Sequence, residues 1–470
     1  MSLAASITGV LAEEIDLPAP PEQLFAALAE RTGSFFLDSS LAAGGLGAFS
    51  FFGCNPFLRF QSKGDLITVT EDGVIQQRRG DPLEELRAQL QRFSSPSVPG
   101  IPFAGGAVGL FSYELCSRLE RIQRRSADDA AIPDIELGFY EGVVVCEHAS
   151  GRSWIAVQAV RREAPETIAQ RLRETLMAAW QRHIGRRPAE PIAGRPADLR
   201  ANFTAPEYLH AIGRIKDYIA SGDVYQVNLA QRFETAQTCA SYELYERVRR
   251  RSPAPFAAYL NCADAQIVSS SPERFLRLRD GRVETRPIKG TRPRGATPEA
   301  DARLRQELIL SAKDRAELLM IVDLERNDLG RVCVPGSIGV EDLYQLESHP
   351  TVHHLVATVA GQLRPGLDVI DCLRAMFPGG SITGAPKVRA MQIIDELEPC
   401  RRHGYTGAIG YLGFDGQCDL NIAIRTIFCR QGRASYHVGG GIVWDSVPES
   451  EYAETLDKGR ALQAALRDGG

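Results

Sequence analysis

The sequence predicts an α+β fold, in which strand pairs and helices follow each other in no regular alternation. Two features of the pattern support this class. Short apolar runs separated by glycine- and proline-containing turns fill the region up to residue 185, and beyond it long helical patterns stand between neighbouring strand pairs. A doubly wound parallel sheet would instead require single strands and helices to alternate throughout.

Strands and one helix are predicted in the first region. Four apolar runs have the length and the flanking turns of strands, namely 34–37, 48–52, 104–113 and 142–146. An amphipathic helix over about 163–182 closes the region, and a proline-rich stretch at 186–196 follows it. We therefore expect an N-terminal region at 1–185 and a C-terminal region at 200–466.

Helices and strands are mixed in the C-terminal region. Thr204 suits the N-cap of a helix and Glu207 completes a capping box, so a helix begins here and runs to about Ser221. Further helical patterns cover 299–333 and 448–467. Strand patterns cover 355–363, 408–414, 420–429 and 434–443. Gln431 and Gly432 have the residue types of a hairpin turn between the last two strands.

The composition excludes several classes of protein. The 470 residues carry a net charge of −5 and no basic patch of the kind that binds nucleic acid. Ten cysteines are scattered without a C-x-x-C pair, which is typical of free thiols in a reducing compartment. The N-terminus lacks the basic region of a signal peptide, and no apolar run approaches the ~20 residues of a membrane span. We expect a cytoplasmic protein.

Lys289 is an unusual residue in this chain. Only six lysines occur among the 54 basic residues, so arginine supplies most of the positive charge. Lys289 stands between Pro287-Ile288 and Gly290-Thr291, which suggests a role that arginine cannot fill. A buried lysine loses its proton readily and then acts as a base or nucleophile, whereas arginine stays protonated. An exposed loop lysine is the alternative interpretation.

Two pairs of acids share the same spacing. Asp314 and Glu317 lie three residues apart on one predicted helix, and Glu451 and Glu454 lie three apart on another. This spacing places each pair on one helical face, so two helices that meet in a cleft would present four carboxylates. Such an all-oxygen set suits Mg²⁺. The alternative is exposed acids that pair with neighbouring basic residues.

Glycines and an arginine near the C-terminus suit an anionic ligand. Gly439, Gly440 and Gly441 follow a predicted strand, where backbone N–H groups without a Cβ nearby can approach an anion. Arg425 can bind a carboxylate with two hydrogen bonds. The segment 379–387 resembles a phosphate-binding loop in its glycine spacing, but it lacks the Lys-Ser/Thr pair. The residues therefore predict a site for a small substrate with more than one carboxylate.

These motifs resemble those of the chorismate-utilising enzymes over nearly the whole chain. The resemblance is carried by the segments 222–230, 269–275, 286–294, 314–330, 353–355, 377–387, 404–413, 424–426, 439–443 and 451–458. It implies two packed antiparallel β-sheets flanked by helices, as in anthranilate synthase component I and aminodeoxychorismate synthase. It also implies that the N-terminal and C-terminal halves interleave, the latter being the chorismate-binding catalytic region.

Two positions are similar to one branch of the family. Gln226 stands where the members that add water at C2 have a lysine base. Lys289 stands in Pro-Ile-Lys-Gly-Thr, where anthranilate synthases have alanine and the aminodeoxychorismate synthases have lysine. The resemblance implies that Lys289 adds at C2 of chorismate and expels the C4 hydroxyl, after which ammonia attacks C4 and expels the lysine.

The resemblance also implies roles for other residues. Glu273 matches the general acid and His354 lies near the ring. Mg²⁺ would be bound directly by Glu317 and Glu454, and through water by Asp314 and Glu451. The substrate contacts are Gln226, Thr383, Tyr405, Arg425, Lys458 and the amides of Gly439, Gly440 and Gly441.

A partner and a second ligand follow from the same resemblance. No cysteine lies in a G-x-C-x-G turn, so we expect a separate glutamine amidotransferase subunit to supply ammonia. Leu37, Asp38 and Ser39 match a tryptophan-sensing motif in which Asp38 replaces glutamate, and a plain strand end is the alternative. Alternative functions are anthranilate synthase component I, which lacks the lysine, and a regulatory subunit that only binds chorismate.

Overall fold

The strands of the computed structural model, which describes residues 9–41, 45–184, 199–349 and 352–467, form two large antiparallel sheets. The strands β1 to β24 are Gly9–Glu14, Phe35–Asp38, Phe49–Gly53, Leu58–Lys63, Leu66–Glu71, Val74–Arg79, Gly106–Phe111, Ile135–Tyr140, Gly142–Glu147, Ser153–Ala159, Arg200–Ala201, Gln226–Ala236, Phe256–Asn261, Gln266–Ser271, Arg274–Arg279, Arg282–Arg286, Ile288–Pro293, Gly339–Ser348, Val352–Gln362, Gly384–Ala385, Ala408–Gly413, Cys418–Ile422, Thr426–Arg430 and Arg433–Ile442.

Eleven α-helices accompany the strands within these ranges. The helices α1 to α11 are Pro21–Ala26, Pro82–Arg92, Cys116–Leu119, Pro165–Ile184, Ala205–Ala220, Ser241–Arg251, Pro298–Leu310, Ala312–Gly330, Val369–Met376, Lys387–Leu397 and Pro448–Arg467. Short 3₁₀ turns cover Tyr113–Leu115 and Gly380–Ile382. Across the described ranges, no helix is both long and apolar enough to cross a membrane.

Each sheet combines strands from both halves of the chain. The first sheet has the order β1-β10-β9-β3-β2-β13-β14-β23-β24-β12-β11, with β20 also paired to β12. The second has the order β17-β19-β16-β15-β22-β21-β7-β8-β4-β5-β6, with β18 also paired to β19. The predicted α+β class with two antiparallel sheets is confirmed. The predicted boundary at 186–196 lies outside the described residues.

The two sheets pack face to face through a shared apolar core. Side chains from both sheets meet there, as in the contact between the rings of Phe51 on β3 and Tyr411 on β21, 5.8 Å apart. Helices α4, α6 and α11 cover the outer face of the first sheet, and α2, α8 and α9 cover that of the second. Strands buried on both faces are therefore apolar at most positions, which explains the short apolar runs of the sequence.

Several predicted elements are confirmed. Helix α5 begins after Thr204, whose hydroxyl accepts from the Glu207 N–H while the Glu207 carboxylate accepts from the Thr204 N–H. Helix α11 spans the residues predicted for it. Gln431 and Gly432, with φ of 49° and 73°, form the turn between β23 and β24. All ten cysteines are free thiols.

Two elements that were predicted to be continuous are each divided in two. The helical pattern at 299–333 is two helices, because Ser311 leaves helical geometry and its hydroxyl accepts from the Asp314 N–H as the cap of α8. The predicted strand at 420–429 is two strands, β22 in the second sheet and β23 in the first. Arg425, with a φ of 51°, lies in the turn between them, where the chain passes from one sheet to the other.

Candidate active site

Two crossovers between the sheets run side by side and carry two of the predicted site residues. Glu273 lies between β14 and β15, and Arg425 lies between β22 and β23. The Ile422 N–H donates to the Glu273 carbonyl at 3.0 Å, and the Ser270 N–H donates to the Arg425 carbonyl at 3.1 Å. These bonds fix Glu273 and Arg425 in register at the point where both sheets meet.

The Glu273 carboxyl is buried, with 4% of the residue exposed. Its Oε1 accepts a hydrogen bond from the Ile288 N–H at 3.3 Å. Burial raises the pKa of Glu273 to about 6, although the Ile288 N–H and the charges of Lys289 and Arg425 act in the opposite direction. A carboxyl with a raised pKa keeps its proton nearer neutral pH, as a general acid requires.

A β-bulge at Gly290 sets the direction of Lys289. Lys289 is opposite Leu355 on β19 and Thr291 is opposite His354, so Gly290 is an extra residue in β17. Its φ is +75°, and a Cβ there would come within 2.7 Å of the Leu308 side chain. Glycine is required for this conformation, and the bulge re-aims the side chain that precedes it.

The Lys289 amine is half-buried and, among the described residues, makes no ion pair within 4 Å. Removal from water lowers its pKa, and the nearby Lys458 acts in the same direction. Glu317 and Glu273 oppose this shift, so both acids lie close enough to affect the lysine. A lysine with a lowered pKa has a larger share of the neutral, nucleophilic amine.

His354 is a buried residue of β19, opposite Thr291 next to the bulge. Its Nδ1 lies 3.0 Å from the Thr291 hydroxyl, and its buried Nε2 has no hydrogen-bond partner in the described part of the chain. Burial lowers its pKa well below the usual value, and the charge of Arg425 contributes. Both ring nitrogens of the neighbouring His353 are instead hydrogen-bonded, Nδ1 to the Ser348 hydroxyl and Nε2 to the Asp301 carboxylate.

The four predicted metal ligands lie on facing helices. Asp314 and Glu317 are on α8, and Glu451 and Glu454 are on α11. The Lys313 amine lies 3.9 Å from a Glu317 oxygen and 3.7 Å from a Glu451 oxygen. One lysine therefore bridges the two acid pairs across the cleft.

Basic side chains also form ion pairs with Asp314 and Glu454. Arg292 pairs with Asp314 at 3.1 Å, and Lys458 pairs with Glu454 at 2.8 Å. In the described ranges, no three ligating side chains are close enough together to hold a metal ion as they stand. The donor chemistry nevertheless fits Mg²⁺, because all four side chains offer carboxylate oxygens. Burial raises the pKa of Glu317, and a bound cation would favour its ionised form.

The glycine triplet lies within β24, inside the strand predicted at 434–443, and does not follow a strand. Gly439 and Gly441 are opposite Ala230 and Asn228 on β12, whose N–H groups donate to Glu398 and to Thr383 instead. Residues opposite each other without mutual hydrogen bonds both point their N–H groups outward. The N–H groups of Gly439 and Gly441 therefore point away from β12, beyond the end of its neighbour β23.

Gln226 packs directly against the triplet. It is 0% exposed, and neither atom of its amide has a hydrogen-bond partner within the described residues. A Cβ on Gly441 would come within 2.9 Å of the Gln226 Nε2. A buried amide without partners is costly, so this group is suited to bind a polar ligand.

The remaining predicted substrate contacts differ in whether their polar groups are already bonded within the protein. Arg425 is half-buried without an ion pair among the described residues, and burial lowers its pKa. The ring of Tyr405 is buried and stacks on His437 at 5.0 Å. The Lys458 amine donates to the Gly439 carbonyl at 3.0 Å. The Thr383 hydroxyl already donates to the Gly379 carbonyl at 3.0 Å, so its hydrogen is used within its own turn.

The sequence matches the family of chorismate binding enzymes over residues 47–464. The chain belongs to this family. It is 41% identical to aminodeoxychorismate synthase component 1 of Salmonella typhimurium over 456 residues, covering 94% of both chains. It is also 41% identical to anthranilate synthase component 1 of Pseudomonas aeruginosa over 460 residues, covering 95% of this chain and 92% of that one. The structure of anthranilate synthase component I from Streptococcus pneumoniae is similar, with a TM-score of 0.78, 31% identity, and coverage of 88% and 92%.

In this chorismate binding enzyme, the candidate tryptophan site is separate from the site above. Leu37, Asp38 and Ser39 line a cavity of about 220 Å³ between the sheets. The Asp38 carboxylate accepts from the Tyr245 hydroxyl at 2.7 Å and the Arg249 Nε at 2.6 Å. The Ser39 hydroxyl donates to a backbone carbonyl. The polar atoms of these two residues therefore bind the protein itself, as at a structural strand end.

Sequence reasoning missed two buried acids on α8, Glu325 and Asp328. Both are buried, and both contact the segment that follows α9. A signal was present, because these acids interrupt the apolar stripe of the helix three residues apart. Their partners, however, are more than 50 residues away in the chain.

Proposed function

We propose that this chorismate binding enzyme aminates chorismate at C4 with ammonia, as an aminodeoxychorismate synthase component I. The observation that carries the proposal is Lys289, which precedes the bulge at Gly290, is affected by the charges of Glu273 and Glu317, and makes no ion pair among the described residues. Relatives named aminodeoxychorismate synthase component 1 support the same reaction for this chain.

The first step forms a bond between the Lys289 nitrogen and C2 of chorismate. The two ring double bonds each shift by one position, and the C4–O bond breaks. Glu273 gives its proton to the leaving hydroxyl, which departs as water, and the lysine nitrogen becomes a secondary ammonium. Covalent addition of this kind replaces one difficult displacement with two easier ones.

The second step restores the diene. Ammonia forms a bond to C4, the double bonds shift back, and the C2–N bond breaks, so Lys289 leaves as the neutral amine. The new ammonium at C4 returns a proton to Glu273. Atoms and charges balance as chorismate plus ammonia giving 4-amino-4-deoxychorismate plus water, and both side chains return to their starting states.

The two carboxylates of chorismate are assigned to opposite ends of the site. Glu317 and Glu454 would hold Mg²⁺ directly and Asp314 and Glu451 through water, and the metal would neutralise the C1 carboxylate. Arg425, Tyr405 and the outward N–H groups of β24 are assigned to the enolpyruvyl carboxylate. Both contacts orient the ring, with C2 toward Lys289 and C4 toward Glu273.

Ammonia would come from a glutamine amidotransferase subunit. Relatives carry the words component 1 in their names, which supports a partner subunit for this chain. Free ammonium at high pH should replace the partner in a test.

The test is a product assay. The protein is incubated with chorismate, Mg²⁺ and ammonium at high pH, and an aminodeoxychorismate lyase is then added. We expect p-aminobenzoate, formed only when the lyase is present. Anthranilate fluorescence without lyase would overturn the proposal.

Anthranilate synthase component I is the second candidate, because a relative with that name is as similar as those of the first branch. That reaction puts nitrogen at C2 and has no use for a nucleophilic lysine there. A regulatory subunit without catalysis would leave both the lowered pKa of Lys289 and the raised pKa of Glu273 unused. The same product assay separates all three.

A further inference from the structure

An ion pair of buried side chains covers part of the outer edge of β12. Two short strands pair with this edge, β20 opposite residues 226–227 and β11 opposite residues 233–234. Between these two strands, the Asn228 carbonyl accepts a hydrogen bond from the Arg402 Nη2 at 2.7 Å, and the Ala230 N–H donates to the Glu398 Oε1 at 2.9 Å. Two side chains therefore provide the hydrogen bonds that a neighbouring strand would otherwise provide.

Arg402 and Glu398 are bound to each other in the interior of the protein. Arg402 is 1% exposed and Glu398 is 5% exposed. The Arg402 Nε donates to the Glu398 Oε2 at 2.9 Å, and its Nη2 donates to the Glu398 Oε1 at 2.7 Å. The guanidinium also lies 4.9 Å from the centre of the Tyr113 ring. Each buried charge thus has a partner of opposite sign with good geometry.

The same guanidinium bonds the turn that precedes Thr383. The Arg402 Nη1 donates to the Ile382 carbonyl at 3.0 Å and to the Thr406 hydroxyl at 3.3 Å. The Thr383 carbonyl in turn accepts from the Asn228 N–H at 2.8 Å. Every N–H group of the guanidinium therefore has an acceptor within the protein. One side chain joins β12 to two segments that are far from it in the sequence.

The bonds of this pair converge on the groups that are assigned to the enolpyruvyl carboxylate. Asn228 and Ala230 are each opposite a glycine of the triplet in β24, whose N–H groups point away from β12. The Tyr405 N–H donates to the Arg402 carbonyl at 3.0 Å, and the guanidinium lies 5.8 Å from the centre of the Tyr405 ring. The pair therefore contacts both the tyrosine and the strand behind the glycines.

We propose that Arg402 is a positioning residue, which together with Glu398 holds β12 and Tyr405 in the arrangement that binds the enolpyruvyl carboxylate of chorismate. The inference rests on the assignment of that carboxylate under the proposed function. Arg402 has no N–H group left for the ligand, so it acts through the groups that it bonds. Its replacement should weaken recognition of the enolpyruvyl carboxylate and spare recognition of the ring carboxylate at the other end of the site.

Two unreactive probes separate the two carboxylates. A benzoate with a carboxyvinyloxy group in the meta position carries both carboxylates of chorismate. A benzoate with an ethoxy group in the same position carries the ring carboxylate alone. Both are aromatic and accept no ammonia, so their binding does not depend on which carbon of chorismate is aminated. Their affinities are measured by calorimetric titration of the whole protein with Mg²⁺ present.

Arg402→Lys is the informative variant. Lysine keeps a charge for Glu398, but its single nitrogen cannot bond the carbonyls of both Asn228 and Ile382. Affinity for the carboxyvinyloxy probe should fall about tenfold, the worth of one buried hydrogen bond. Affinity for the ethoxy probe should change by less than about twofold. Equal losses for both probes, or no loss for either, would overturn the inference, as would a parent that binds both probes equally.

A second variant keeps the inference testable if Arg402→Lys does not fold. Arg402→Met combined with Glu398→Met removes both buried charges at once, which often leaves stability unchanged or higher. It also removes the hydrogen bonds to Asn228 and Ala230. The double variant should therefore show the same selective loss of the carboxyvinyloxy probe, and it is held to the same contrary outcomes.

Arg161→Lys is the matched control. Arg161 also pairs with a buried acid, Glu141, at 2.8 Å, and that acid accepts the Val160 N–H at 3.0 Å. These partners are not among the proposed site residues, so both affinities should stay within about twofold of the parent. A selective tenfold loss here too would overturn the inference. Product identity with chorismate and ammonium reports separately on the proposed function, because anthranilate would refute C4 amination without altering either probe affinity.

Discussion

The Ile288 N–H donates a hydrogen bond to the Glu273 Oε1 at 3.3 Å, which ties the proposed acid to the residue directly before Lys289. The crossover that carries the acid and the strand β17 that carries the proposed nucleophile are therefore joined directly. The same bond favours the ionised carboxylate, whereas burial favours the protonated form and prevails.

Glu273→Gln should stabilise the fold at alkaline pH while it abolishes activity. Burial raises the pKa of Glu273 from 4.5 to about 6, so ionisation above that range costs the folded state about 2 kcal/mol. A group with a raised pKa contributes stability below its unfolded pKa and loses it as pH rises through the folded value. Denaturant unfolding should thus show a more stable variant at pH 8, with the difference narrowing toward pH 5. Equal stabilities at both pH values would contradict this account.

Lys289→Ala and Lys289→Arg should both lose C4 amination, by roughly 100-fold or more, because arginine keeps the charge and lacks a neutral amine. Coupled production of p-aminobenzoate measures the loss. Chorismate binding, followed by calorimetry, should survive in the arginine variant. Amination near the parent rate in Lys289→Arg would show that the charge alone is needed.

Gly290→Ala should misalign Lys289 and destabilise the protein. Its φ of +75° costs an L residue roughly 1 kcal/mol, and the added Cβ would meet the Leu308 side chain at 2.7 Å. Gly366→Ala is the control, since Gly366 has a similar φ of +82° with no atom within 4 Å of the added Cβ. We expect both variants to lower the melting temperature and only Gly290→Ala to lower kcat.

Removal of Mg²⁺ with EDTA should stop chorismate consumption, and added Mg²⁺ should restore it. Lys313 lies between Glu317 and Glu451 and competes with a divalent cation for the same oxygens. Lys313→Met should therefore bind Mg²⁺ more tightly, by about threefold given the exposure of this lysine. Calorimetric titration of Mg²⁺ measures the change, and weaker binding in the variant would contradict it.

Local patterns were sufficient for most elements of the fold. The capping box at Thr204 and the hairpin turn at Gln431 each depend on residues that are adjacent in the chain, and both were predicted correctly. The break at Ser311 was missed, because serine is neutral within a helical pattern and reveals itself as a cap only in the folded structure. The turn at Arg425 was missed because the apolar run continues through the passage from one sheet to the other.

The sequence predicts those site residues whose chemistry is evident from the residue type alone. Lys289 was conspicuous because arginine replaces lysine almost everywhere else. Glu325 was not conspicuous, because the sequence does not distinguish a buried glutamate on a helix from an exposed one. The Gly380 N–H that donates to it is 55 residues away in the chain. The contact of Lys313 with both acid pairs likewise depends on two helices separated by more than 100 residues.

The interleaved strand order means that no single cut in the chain yields a self-contained catalytic half. Without residues 9–184, β13 would lose β2 and β21 would lose β7, so the interior of both sheets would be opened at once. The strands next to the crossovers of Glu273 and Arg425 would then lack their neighbours from the N-terminal region. During synthesis, the site can assemble only after nearly the whole polypeptide has emerged, which makes its formation a late and long-range event.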